Sequence, residues 1–495
     1  MKNINKLFQF ILLAFFIVGC NDAIDIEQPG RLGAAQAFKT VADLQLGLFG
    51  AYDQFDTSTE IQFNAVFTDE ISIGFDNGGQ GISDGSYGFI LNPTSDASIA
   101  LWNNYYDALN AVNRVIAASE LVTPEAGEQA DFNNILGQAY GLRAFAHFQL
   151  LSYLSPDYTD DSALATILVN FVPTIDQQLP RNTNGEIYAS ITSDLNSAES
   201  LLSIDANPTL ISKDFATALR ARMAAYRGNY SDASTYASTL LAKYPLADTF
   251  QYEAMYEDTD NTEVIFKLAR TVGDNYDGQG NTGSGYAGGY AGANFAFITS
   301  ELDGSPYYEM GRTLFNAIDP ADIRYTVSVD ATSVIDPDYA TNNDPAADIL
   351  VISKYPGKDG QPLMNDLKIF RVSEMLLIKA EALTDANDLT GAATLIKQLR
   401  DARFGAAQVL PVYANQTEAF GDILDERRVE FAFEGHRYKD LKRLGTRADR
   451  AVDRDAIDCA VNGACSLAVT DYRFTMPVPL VELDANANVQ QNTGY

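Results

Sequence analysis

Apolar residues recur at three- and four-residue steps through several separated stretches of the chain. Phe38, Val41, Leu44, Leu48 and Tyr52 form one such stripe, starting near Ala34, and predict an amphipathic helix. Across residues 99–118, Trp102, Tyr105, Leu109, Val112 and Ile116 share a face. Residues 132–154 repeat the pattern with Leu136, Tyr140, Phe145, Phe148 and Leu151. Residues 215–227 read as a further helix stopped by Gly228-Asn229. Ser231 then caps another, which runs to Lys243 ahead of Tyr244-Pro245. Two intervals break the pattern. Residues 69–93 are rich in glycine and aspartate and carry few helix signals. Residues 249–366 show little helical period, with candidate strands at 264–269 and 349–353 and a Gly/Tyr-rich loop at 274–297. Loops of that length are usually functional or disordered, and the aromatic residues here argue for function. The expected fold is mainly α, with a loop-rich half and few short strands.

Within the helical stretches a spacing repeats. Ala221, Ala233 and Pro245 stand twelve apart, as do the helix-crossing and terminating positions of a tetratricopeptide repeat. Ala380 and Ala392, again twelve apart with Asn387 in the turn, carry the same register through residues 370–403. Two matches in one register favour a helical-repeat scaffold over generic hairpins.

The N-terminus reads as an address. Lys2 and Lys6 precede an apolar run at 10–18 that is too short to span a bilayer and ends at Gly19, the order of a secretory signal. Ile17-Val18-Gly19-Cys20 resembles a bacterial lipobox, which implies that Cys20 carries a diacylglycerol and that cleavage falls before it. Two or more acyl chains anchor stably. Residues 1–19 are thus signal and 20–33 a lipidated tether. No later run is apolar enough over sufficient length for a membrane helix. An apolar content of 46% with 20% charged residues indicates a globular body. The net charge of −32 disfavours nucleic acid and anionic lipid, and weighs against a polyanionic ligand. Besides Cys20 the chain has Cys459 and Cys465, flanking the turn at Val461-Asn462-Gly463. In an oxidising compartment a disulfide between them is expected, two free thiols being the alternative.

Four segments resemble the SusD/RagB family of nutrient-binding lipoproteins. They are Leu142-Arg143-Ala144-Phe145-Ala146-His147-Phe148, the run from Arg371 to Ala382, the run from Ile423 through Glu434-Gly435-His436-Arg437 to Arg443, and the tail from Pro477-Val478-Pro479 to Gln491-Asn492-Thr493-Gly494-Tyr495. The last two are the most specific. Leu444 stands where members often carry tryptophan and Thr493 where proline is common, and residues 159–184 depart from the usual pattern. The resemblance implies one domain over residues 34–495, with helix pairs mainly at 99–245 and 368–445 and a loop-rich region at 249–366. It also implies a lid over a SusC-type TonB-dependent transporter, facing outward from the outer membrane. There the protein would capture an oligo- or polysaccharide, or another nutrient, without covalent chemistry. From spacing alone, Glu426, Arg427, Glu430, Glu434 and Arg437 pair along helix faces as architecture. Phe431 and Phe433 supply burial, and Gly435 a bend.

Motifs for catalysis are weak. Gly81-Ile82-Ser83-Asp84-Gly85 fits a nucleophile elbow, but glycines flank it and His147 and His436, the only histidines, lie in helical motifs. Neither zinc ligands nor a phosphate cradle is present, so no metal, cofactor or catalytic residue is assigned. Asp258-Thr259-Asp260 reads as solvated surface rather than a calcium loop. An outer-membrane glycan hydrolase is the least favoured alternative, behind a transporter lid with a non-glycan ligand. Sugar binding needs aromatic platforms with polar side chains at the rim. Trp102, at helical spacing, reads as core. The candidates are therefore Phe75, Asp76, Asn77 and Tyr87 on one loop stretch, and Tyr286, Tyr290, Asn294 and Tyr307 on the other, with Tyr276 and Phe295 beside them.

Overall fold

The computed structural model describes residues 37–76, 78–271, 306–342, 344 and 346–495. Helix α1 (Val41–Asp53) opens at a reciprocal cap: the Asp43 amide donates to the Thr40 hydroxyl at 3.2 Å, and the Thr40 amide donates to the Asp43 carboxylate at 2.9 Å. Val41, Leu44 and Leu48 face the core, as their spacing requires. Helix α2 (Ser58–Phe67) was not visible in the sequence pattern. It is buried on nearly every side, so no polar face marks its period. Strand β1 (Ile71–Ile73) follows. The predicted pair of long helices is α3 (Asp96–Ser119) and α4 (Gln129–Leu154), which pack on each other. Trp102 is buried on α3, stacking near Tyr106 at 4.7 Å.

Helix α5 (Asn184–Leu201) packs on α4 behind a Thr183 capping box. Helices α6 (Lys213–Tyr226) and α7 (Tyr230–Leu241) form the first repeat-like pair. The cap of α7 is Asn229 rather than Ser231, which places the start of the helix two residues earlier. Two turns of helix, α8 (Thr249–Tyr256), stand inside the stretch expected to lack them, fixed by an Asp248/Gln251 capping box.

Strand β2 (Val264–Leu268) lies where one was expected. Strand β3 (Tyr308–Met310) and the short helices α9 (Arg312–Ala317) and α10 (Ile323–Ser328) follow. Residues 349–353 make only isolated bridges, Val334 with Ile349 and Val329 with Ile352, not a strand. Strand β4 (Leu367–Arg371) pairs antiparallel with β2, so Phe370 and Arg371 belong to a sheet and the second repeat starts later than its register suggested. Its helices are α11 (Val372–Asp385) and α12 (Leu389–Phe404), followed by the pair α13 (Gln416–Glu430) and α14 (Arg437–Ala448). Short elements complete the described chain: β5 (Val452–Asp453), α15 (Ala456–Cys459), β6 (Ser466–Leu467) and α16 (Leu480–Ala485).

The repeat-like pairs are far apart in sequence and adjacent in space, because α7 packs directly on α11. Ala221, Ala233, Ala380 and Ala392 are all fully buried, which is why small residues occupy those positions. One apolar cluster links α1 at Val41 to the C-terminal segment at Val489.

The charged motif around α13 does not pair along its own helix. Glu430 meets Arg371 and Arg403 at 2.7 Å each, Glu434 meets Arg371 at 2.9 Å, and Glu426 meets Arg324 at 2.6 Å. Arg427 reaches Asp440 on α14 at 2.7 Å, and Arg437 reaches Asp69 at 2.8 Å. The helix ends at Glu430, so Glu434 and Arg437 could not share its face; every partner comes from a different element. Gly435 makes the turn into α14 at φ +79°, a conformation that favours glycine.

The tail motif also gains a physical account. The Val478 amide donates to the Gln491 side chain at 2.8 Å, and Gln491 donates back to the Val478 carbonyl at 2.9 Å. Asn492 donates to the carbonyls of Leu154 at 3.0 Å and Met476 at 2.7 Å. Cys459 and Cys465 are joined by a disulfide.

Candidate functional site

The two loop-rich stretches singled out in the sequence meet at a small sheet. Strands β1 and β3 run antiparallel, with Ser72 opposite Glu309 and Ile73 opposite Tyr308. One step further, the Gly74 amide donates to the Tyr307 carbonyl at 3.0 Å. A Cβ on Gly74 would lie 1.8 Å from the Pro306 carbonyl oxygen, so only glycine permits this approach. The pairing brings Phe75 and Asp76 alongside Tyr307. Phe75 and Tyr307 are half-buried and Asp76 is exposed. Tyr307 sits edge-on to Tyr308 at 4.7 Å, and Tyr308 donates to Asp84 at 2.5 Å. Partial burial and the Asp84 charge raise the Tyr307 hydroxyl above its usual range, keeping it a protonated donor. This corner can therefore offer an aromatic face with carboxylate and hydroxyl groups at its edge.

Tyr87 does not join it. Its side chain is fully buried, its hydroxyl donates to the Asp458 carbonyl at 2.7 Å, and the Arg454 guanidinium covers its ring at 4.1 Å. The loop that carries it packs Tyr87, Phe89 and Leu91 inward, which spends the ring on the core. Asn77, Tyr276, Tyr286, Tyr290, Asn294 and Phe295 lie outside the described residues, as does Cys20.

Beneath Phe75 lies a small recess of about 20 Å³, room for a water-sized group. Glu309, Tyr339, Asp344, Asp348 and Asp458 line it with Phe75. Glu309 accepts the Leu350 amide at 3.2 Å, and Asp458 accepts the Arg312 amide at 2.7 Å. The Arg312 guanidinium lies 3.2 Å from Asp348 and 3.7 Å over the Tyr339 ring. Burial is the main cause that pushes Glu309 up to about 8 and Asp458 up to about 7, and it raises Asp348 as well. The disulfide begins at the residue after Asp458 and clasps the segment that presents it. Sequence reading missed these acids. They are isolated in the chain among 66 acidic residues, and only the fold gathers them.

Elsewhere the structure assigns the remaining motifs to architecture. His147 and His436 are buried, and burial lowers both, His147 to about 3, so both imidazoles stay neutral inside the core. The would-be nucleophile elbow contains a short 3₁₀ turn (Gln80–Ser83) with no strand leading into it. Asp258 is not solvated surface: its side chain is buried against Lys368 at 2.7 Å and Asn365 at 2.9 Å, because the chain folds back beneath β2 and β4. Among the described residues no three metal-binding side chains converge on one point.

Fold and site together define a class: a helical-repeat scaffold whose long insertions converge on one solvent-facing corner above a small acid-rimmed recess. Sequence comparison makes the assignment specific. The model of the SusD family matches residues 353–495, and one described as "Starch-binding associating with outer membrane" matches residues 40–224. The chain belongs to the SusD/RagB family. It is 25% identical to SusD-like protein P2 of Formosa agariphila, over 98% of this chain and 99% of that one. A SusD superfamily protein from Bacteroides thetaiotaomicron superposes with a TM-score of 0.74 at 23% identity, covering 92% of this chain and 99% of the other. A putative sugar binding protein from Bacteroides vulgatus superposes with a TM-score of 0.69 at 22% identity, over 93% and 99%.

Proposed function

We propose that this protein captures an oligo- or polysaccharide at the outer membrane and passes it to a SusC-type TonB-dependent transporter, without covalent chemistry. The observation that carries the reading is the meeting of the two loop stretches at β1 and β3. It sets the aromatic faces of Phe75 and Tyr307 beside Asp76 at a solvent-open corner. The description of the matching family, which speaks of starch binding and association with the outer membrane, points the same way, as does the likeness to a putative sugar binding protein. In this reading Cys20 holds the lipid, residues 1–19 are removed, and the body faces outward. Asn77, Tyr286, Tyr290 and Asn294 complete the ligand surface.

The reading is tested by electrophoresis of the protein through native gels containing neutral and acidic polysaccharides. Retardation by one polymer class is expected. Free migration in every gel refutes glycan capture. Replacing both Tyr286 and Tyr290 by alanine should weaken that binding by about 1–3 kcal/mol; unchanged affinity removes them from the site.

A further inference from the structure

The motif that resembled a nucleophile elbow has another place in the fold. Its first residues lie in the 3₁₀ turn Gln80–Ser83, and that turn packs against the corner where β1 meets β3. A Cβ on Gly79 would stand 2.9 Å from the Ile82 side chain and 3.4 Å from the Phe75 ring, so those two side chains close over the bare glycine. A Cβ on Gly81 would stand 3.0 Å from the Tyr308 ring and 3.4 Å from the Tyr307 ring. Glycine at both positions lets the turn seat flush against the aromatic residues. Ile82 is thereby set beside Phe75, on a turn whose other side meets Tyr307.

Ile82 is 41% exposed, and the backbone holds it there. The Gly79 amide donates to the Gly74 carbonyl at 3.1 Å, the Ile82 amide to the Gly79 carbonyl at 3.1 Å, and the Asp84 amide to the Gly81 carbonyl at 3.0 Å. Asp84 in turn accepts the Tyr308 hydroxyl. So fixed a mount spares a ligand the cost of ordering the turn. One exposed aliphatic residue by itself needs no explanation. One fixed next to the half-buried Phe75 and Tyr307 extends their apolar surface. Residues 71–91 carry two charged side chains, Asp76 and Asp84, both acidic. A carboxylated or sulfated unit is therefore repelled, whereas a neutral one, with an apolar C–H face and hydroxyl edges, fits.

We propose that Ile82 is a ligand-contacting, specificity-determining residue of the corner, and that the C–H face of a neutral sugar ring packs on it together with Phe75. The inference rests on the glycan-binding reading and adds to it a residue and a charge class. Ile90 supplies the contrast within the same loop. It is 60% exposed, but its side chain lies over Gly85 and Gly88 rather than beside Phe75.

The test is titration calorimetry of the full-length protein with maltohexaose, mannohexaose, xylohexaose and hexagalacturonic acid. A neutral hexamer should bind and the galacturonate should not. Ile82→Ser should weaken that binding about fivefold, the effect of losing part of one aliphatic side chain's burial. Ile82→Leu should retain it, and Ile90→Ser should leave it unchanged. The melting temperature of Ile82→Ser should match the wild type, because this side chain lies outside the buried core. Unchanged affinity in Ile82→Ser overturns the contact. An equal loss in Ile90→Ser, or a melting temperature that falls with the affinity, makes the effect structural and overturns it too. Preferred binding of the galacturonate overturns the neutral contact while leaving glycan capture intact. Failure of all four hexamers to bind overturns the contact, and the polysaccharide gels then decide glycan capture separately.

Discussion

Single residues carry charge here in two very different ways. Asp69 and Glu70 are neighbours and both are fully buried, yet they titrate in opposite directions. Asp69 is paired with Arg437 at 2.8 Å and lies beside Arg428, which together hold it well below the usual carboxylate range despite burial. Glu70 is pushed up to about 8 by burial and by the Asp69 charge. Its carboxyl is therefore protonated in the folded chain and ionised in the unfolded chain between about pH 4.5 and 8. Folding takes up a proton in that window, so this group's stabilisation is complete at low pH and is lost as pH rises through it. The melting temperature should accordingly fall more steeply between pH 5 and 9 in the wild type than in Glu70→Gln; parallel curves would refute the assignment. The ion pairs differ just as sharply. Removing Arg403, fully buried against Glu263 and Glu430, should cost about 3–5 kcal/mol because two buried carboxylates each lose one of their counter-charges. Removing Arg447, which meets Asp385 in the open, should cost under about 1 kcal/mol. Denaturant titration of the two alanine variants measures the contrast.

At the scale of elements, legibility in the sequence followed exposure. α1, α3 and α7 each keep a polar side, so their periods show, whereas α6, buried nearly all round, was marked by its Gly228-Asn229 stop. α2 is buried nearly all round and leaves no stripe, and β4 hides because it runs without a break into α11. The binding corner was half visible for a related reason. Phe75 and Tyr307 stand out as aromatic residues in polar, glycine-rich loops. Glu309, Asp348 and Asp458 are ordinary acids until the β1–β3 pairing and the disulfide bring them together. That pairing depends on Gly74. Gly74→Ala should push the strand ends apart, cost about 1–3 kcal/mol and weaken ligand binding alongside the loss in melting temperature. Full affinity in that variant would show that the corner does not depend on the sheet.

For the whole molecule, the contact between α7 and α11 matters most. It joins two repeat-like pairs separated by the entire loop-rich region, so the insertion projects from a continuous scaffold rather than separating two bodies. Calorimetric melting should show one cooperative transition, as expected where a shared core links the parts; two resolved transitions would divide the chain into independent units. The charge of −32 acts at this scale as well. It sets a background that a neutral ligand does not feel and that an anionic one must overcome, so any binding to an acidic polymer should strengthen with added salt.

The tail clasp bears on how the chain is made. The carbonyls of Leu154 and Met476 wait for the amide of Asn492, and the Arg181 guanidinium bonds both the Leu154 carbonyl and, at 2.9 Å, the carbonyl of Gln490. The Leu154 acceptor, at the end of α4, precedes its partner Asn492 by 338 residues. A growing chain thus holds an open latch at this end of α4 until residue 492 has been added, and a chain cut short of it should leave that end unclosed.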